Sequence, residues 1–286
     1  MINFLRYQKL YFAISIVAIA AGLFSIFSFG YKNSIDFSGG TILEYQTSKV
    51  VEVDKLSAKL KSQKLNIVEK EVNGNKLTLK FEALAPEQEK IVLGELKKED
   101  GKVTVLRAET VGATLGKETI AKTITASIVA ILGILIYLTF TFKSLNFAVS
   151  AVVALLHDLL VMVGGYSIVS HLFGAELNTL FVTAILTTMS FSVHDTIVIF
   201  DKIREYRRSK SEDIVLSANR AVTETIIRSI NNSMTIVFML LALILFGGST
   251  IRFFIVALLI GTITGTYSSP FVATPFLVWL ENRKNK

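Results

Sequence analysis

Six apolar stretches, at about 10–30, 120–142, 145–169, 177–200, 229–247 and 252–280, constrain this chain more than any other feature. Each approaches the roughly 20 residues that a helix needs to cross a ~30 Å hydrocarbon core. Bulk composition hides them: apolar residues make up 51% of the 286, close to a globular average, and mean hydropathy is +0.54. Charge is crowded between the stretches, so their spacing predicts a polytopic α-helical membrane protein with six spans. The first stretch follows Arg6 and Lys9 but is longer than the apolar part of a secretory leader. Ser28-Phe29-Gly30 also makes a poor cleavage site, which predicts an uncleaved first span over 1–30.

A net charge of +7 raises the question of nucleic acid, and the distribution answers against it. Residues 31–118 carry 15 basic and 14 acidic side chains, so nearly all of the excess lies in the segments flanking the apolar stretches. Arg6 and Lys9, Lys143, the run from Lys202 to Lys210, and Arg283 to Lys286 fall in alternate segments along six spans, and so on one side of the membrane. By the positive-inside rule both termini and a loop at 201–225 are cytoplasmic, and residues 31–118 lie outside. The remaining residues, 119–286, are expected to form a five-helix bundle. Cysteine is absent, so redox chemistry says nothing about compartment.

Residues 31–118 have a regular pattern of their own. Strands are expected at 41–48, 66–72, 76–82 and 103–109, and helices at 52–64 and from Pro86 to about Asp100. Asn73-Gly74 suits a type I′ hairpin turn. The order β-α-β-β-α-β is that of a ferredoxin-like split βαβ unit. This segment contains no histidine, and its carboxylates are spread over charged helical faces, so contact with protein is its expected task rather than catalysis.

An ionisable side chain inside a membrane costs at least ~2.5 kcal/mol, so each one needs a reason. Three stand out. Asp195 lies some seven residues before the cluster starting at Lys202, about 10 Å inside that boundary. In the fifth span Arg228, Asn231, Asn232 and Thr235 share one helical face at the same depth, so the spacing predicts an Asp195–Arg228 pair. Such a pair switches: protonating the carboxylate releases the guanidinium. A static pair that only fixes helix packing is the alternative. Asp158, near the middle of the third span, is either a second relay group or a packing hydrogen bond. His157 and His194 each precede an aspartate but give no recognisable metal-ligand spacing. Gly261, Gly265 and Ser269 recur every four residues, as in a close helix interface, and Pro270 and Pro275 are expected to kink the turns that follow.

The same stretches resemble a known family. Ile35-Asp36-Phe37-Ser38-Gly39-Gly40-Thr41, with Asp36, Gly39 and Gly40 at its centre, resembles a short segment shared by the SecD and SecF proteins. Ser192 to Glu205 is similar to the fourth-span signature of the SecF type, and Leu245-Phe246-Gly247-Gly248 and Gly265 to Ser269 match its last two spans. Together these cover nearly the whole chain in the right order. The resemblance implies one half of a transporter of the resistance-nodulation-division (RND) superfamily, with six helices in an RND-type half bundle and a SecD partner supplying the other half. It implies that Asp195 and Arg228 take part in proton transport, with Asn232 where the family has a threonine. An amide cannot rotate a hydroxyl proton into a relay, so a water is expected to substitute.

The resemblance therefore implies a non-enzymatic, proton-coupled subunit of the Sec pathway in the bacterial inner membrane. Its implied partners are SecD, the SecYEG translocon, YajC, unfolded preprotein and lipid, with protons as coupling ion and no cofactor, metal or nucleic acid. A proton-coupled RND-type efflux half-transporter is the competing reading. The small external segment and the presence of only one half weigh against it.

Overall fold

The computed structural model describes residues 2–210 and 213–284. It separates into two compact units, a helical one of Met1–Lys32 with Thr125–Lys286 and an α+β one of Asn33–Ile124.

In the α+β unit, a single turn α1 (Ile35–Ser38) leads into β1 (Gly40–Gln46), α2 (Val53–Ser62), β2 (Ile67–Asn73), β3 (Lys76–Phe81), α3 (Pro86–Glu99) and β4 (Thr104–Val111). All neighbouring strands are antiparallel and their order is 2-3-1-4, that of a split βαβ unit. Period-2 side chains explain the sheet. Leu43 and Tyr45 of β1 and Leu77, Leu79 and Phe81 of β3 point to one face, where they meet Val53, Leu56 and Leu60 of α2 and Val92 and Leu96 of α3. The hairpin turn differs from the type I′ expectation. The two loop residues are Gly74 and Asn75, because Asn73 already pairs with Lys76. Only Gly74 has a positive φ (59°), a pattern with glycine first that suits type II′.

The α1 turn accounts for the Asp36-Gly39-Gly40 motif in structural terms. Ser34 caps it by accepting from the Asp36 amide, and Gly39 ends it at φ 72°. Gly40 starts β1 at φ 127°, where a β-carbon would stand 2.6 Å from the Phe81 carbonyl oxygen, so no larger residue fits.

Among the described residues six spans match the apolar stretches: Phe4–Phe29, Thr114–Phe142, Leu145–Phe173, Thr179–Arg208, Ile214–Phe246 and Arg252–Arg283. The third, fourth and sixth are the most enclosed; the second and fifth keep most of their surface exposed. First and third spans meet glycine to glycine, since a β-carbon on Gly22 would fall 2.7 Å from the Gly164 Cα.

The expected 201–225 loop is largely helix. The fourth span continues to Lys210 and the fifth begins at Ile214, with residues 211, 212, 285 and 286 outside the described set. The physical reason is amphipathic periodicity beneath the basic residues. Ile203 and Tyr206 on one side and Ile214, Ala218, Ala221 and Val222 on the other are buried in the main apolar cluster. Arg207 donates to the Glu281 carboxylate at 2.7 Å and ties the fourth-span extension to the sixth helix, while Asn146 of the third span donates to its other oxygen at 2.6 Å. The kink expected after Pro270 takes the form of a π-helical turn over Ser269–Ala273.

Candidate functional site

Helical spacing sets one polar seam on the fourth span. Thr188, Ser192 and Thr196 recur every four residues and are almost fully buried, and they meet the Gly261, Gly265, Ser269 stripe of the sixth span. A β-carbon on Gly261 would lie 2.3 Å from Thr188 Oγ1, and one on Gly265 would lie 3.3 Å from Ser192 Cα. Ser269 Oγ is 2.8 Å from Thr196 Oγ1. The small residues therefore let two helices touch along a line of hydroxyls.

One turn round the fourth span, Asp195 faces the fifth. Its side chain is 5% exposed, and the Ser229 hydroxyl donates to its Oδ2 at 2.6 Å. Ser233, one turn further on, accepts from Thr266 Oγ1 at 2.6 Å and so continues the hydroxyl line to the sixth span. Asp195 opens on a cavity of about 240 Å3 lined also by His194, Thr225, Arg228, Ser229 and Asn232. The predicted residues Asp195, Arg228 and Asn232 are thus brought to one cavity. The predicted ion pair is not closed, however: among the described residues Asp195 is held by Ser229 and forms no ion pair with Arg228. Adjacent helix positions diverge by about 100°, so a fifth span that turns Ser229 to the carboxylate turns Arg228 aside. Arg228, Asn231, Asn232 and Thr235 are all exposed.

Asp158 belongs to a different cluster, and no described side-chain hydrogen bond joins it to Asp195. It is 1% exposed and accepts from Ser192 Oγ at 2.5 Å and Ser268 Oγ at 2.6 Å, while His157 Nδ1 lies 2.9 Å from its other oxygen. His157 Nε2 lies 3.0 Å from Ser15 Oγ of the first span. Sequence reasoning did not single out Ser229, Ser268 or Ser15. Each is a hydroxyl within an apolar span, with no charged residue three or four positions away to mark it. No group of three or more His, Asp or Glu able to hold a metal occurs among the described residues.

Residues 91–283 match the family model for protein export membrane protein SecD/SecF, C-terminal. The chain is 38% identical to protein translocase subunit SecF of Thermobaculum terrenum, over 99% of this chain and 95% of that protein. It is 37% identical to the SecF of Sebaldella termitidis, over 100% of this chain and 93% of the relative. A crystal structure of SecDF, a translocon-associated membrane protein from Thermus, superposes with a TM-score of 0.84 at 30% identity, over 99% of this chain. The chain spans only 39% of that longer polypeptide. A SecDF structure in a super-membrane-facing form gives a TM-score of 0.72 with the same coverage.

Proposed function

Because the chain belongs to the SecD/SecF family of protein-export membrane proteins, and within it to the SecF translocase subunits, we propose that it uses the proton gradient to assist preprotein release. The carrying observation is Asp195, a nearly buried carboxylate in a membrane span that opens on a cavity lined by a guanidinium, an imidazole and an amide. In this reading the Asp195 carboxylate takes up a proton from that cavity, and Arg228 approaches or withdraws as the charge changes. Asn232 orders a water there, and Asp158 supplies a second protonatable carboxylate. A single charge moved through the membrane field is worth ~2.3 kcal/mol per 100 mV, enough to bias two helix arrangements. The subunit needs no cofactor and carries out no covalent chemistry.

The partner reading follows from the fifth span. A face bearing Arg228, Asn231, Asn232 and Thr235 is costly against lipid tails, so a second polypeptide must cover it. A SecD half is that polypeptide, joined in turn to the translocon. In this reading the protein sits in the bacterial inner membrane with both termini in the cytoplasm, and the α+β unit handles emerging preprotein outside. The proton step is tested by co-reconstituting the chain with SecD in vesicles containing a pH-sensitive dye. An imposed gradient is expected to drive proton entry in the wild type and not in Asp195→Asn; equal entry in both removes Asp195 from the path.

A further inference from the structure

Five buried side chains from four spans converge on Asp158: Ser15 of the first, His157 and Asp158 of the third, Ser192 of the fourth and Ser268 of the sixth. The two serines fill one carboxylate oxygen and His157 Nδ1 approaches the other. Among the described residues no lysine or arginine pairs with this cluster. The other titratable neighbours are accounted for. Tyr267, whose ring lies 6.2 Å from that of His157, spends its hydroxyl on the Tyr11 carbonyl oxygen, Asp195 is held by Ser229, and His194 is exposed beside the Asp195 cavity.

This arrangement has two hydrogen-bonding states. In the first, Asp158 is ionised and His157 is neutral with its proton on Nδ1; Nε2 then accepts from the Ser15 hydroxyl, and the cluster carries one uncompensated negative charge. In the second, one proton has been added to the Nε2 lone pair. Nε2–H now donates to Ser15 Oγ, the original ring proton is shared between Nδ1 and Oδ1, and the cluster is neutral. Both serine bonds to Oδ2 survive in either state, so Ser15 is where the change is felt: its hydroxyl must reverse from donor to acceptor. An isolated charge enclosed by helices is costly, and the second state removes it.

We infer that Ser15, His157 and Asp158 form a second proton-binding centre, which takes up one proton at His157 Nε2 and reverses one of the hydrogen bonds that join the first span to the third. The inference deepens the part given to Asp158 in the proposed function, placing the added proton on the neighbouring imidazole, and does not depend on the coupling role of Asp195.

The chain has three histidines, so imidazole nitrogens labelled with 15N are resolvable by NMR in the full-length protein in lipid nanodiscs. His157→Gln identifies the His157 signals. Between pH 5 and 9, Nε2 of His157 is expected to pass from unprotonated to protonated in a single one-proton step, and the step persists in Asp195→Asn. Asp158→Asn lowers the proton affinity at Nε2 by at least tenfold. An Nε2 that keeps one protonation state across the range identifies a static packing contact and overturns the inference. So does a step that vanishes in Asp195→Asn, which would make the response secondary to the other site. The wild-type and Asp195→Asn titrations decide the matter even where Asp158→Asn does not fold.

Discussion

Asp195 and Gly40 show how much rests on single atoms. The Ser229 hydroxyl is the one described hydrogen-bond donor to Asp195, and without it a nearly buried carboxylate oxygen has only the cavity to turn to. Leaving such a group unsatisfied costs about 1–3 kcal/mol, so Ser229→Ala is expected to slow gradient-driven export roughly tenfold or more at unchanged protein level. Export rates normalised to subunit abundance check this, and a normal rate would show the bond to be incidental. Gly40 combines a left-handed φ with a closed approach to Phe81. Gly40→Ala is therefore expected to destabilise the α+β unit by about 1–3 kcal/mol, read as faster hydrogen exchange along β1 and β3 in the full-length protein.

At the scale of elements, the connection after β1 is organised by one carboxylate. Asp100, nearly buried at the end of α3, accepts from the Ser48 amide and hydroxyl and from the Lys49 and Lys102 amides. The Ser48 hydroxyl leads in holding its pKa down to about 2, below the ordinary 3.8, with the backbone donors adding to it. The sign is that of a depressed acid: the stabilisation is present above about pH 4 and is lost as pH falls from there through about 2. Acid unfolding of the α+β unit is expected to begin at a higher pH in Asp100→Asn; an unchanged acid limb in that variant would count against the bond set. Elements were largely legible in the sequence. Apart from the single turn α1, which was not expected, the strands and helices of residues 40–111 lie within about two residues of their expected ends, because alternation and helical spacing are local signals. The 201–225 segment was not legible, because its apolar positions lie under basic side chains that read as loop. The type II′ turn was missed because an Asn-Gly pair does not show which residue occupies the first loop position.

At the scale of the whole molecule, six spans around an enclosed core of the third, fourth and sixth leave the fifth with an exposed polar face and a cavity at Asp195. The spans could be read from hydropathy and the residues of the cavity from their cost in a membrane. Which atoms touch could not: helix rotation decides whether Ser229 or Arg228 meets Asp195, and rotation is set by packing such as Gly261 against Thr188. The account stands on Asp195 carrying the proton that drives export. Release of a preprotein from membrane vesicles, with and without a protonophore, tests this most directly. With wild-type protein the protonophore is expected to slow release markedly. With Asp195→Asn, inserted and partnered normally, release is expected to be slow in both conditions and insensitive to the protonophore. Release from Asp195→Asn vesicles that is as fast and as protonophore-sensitive as wild type would contradict the account.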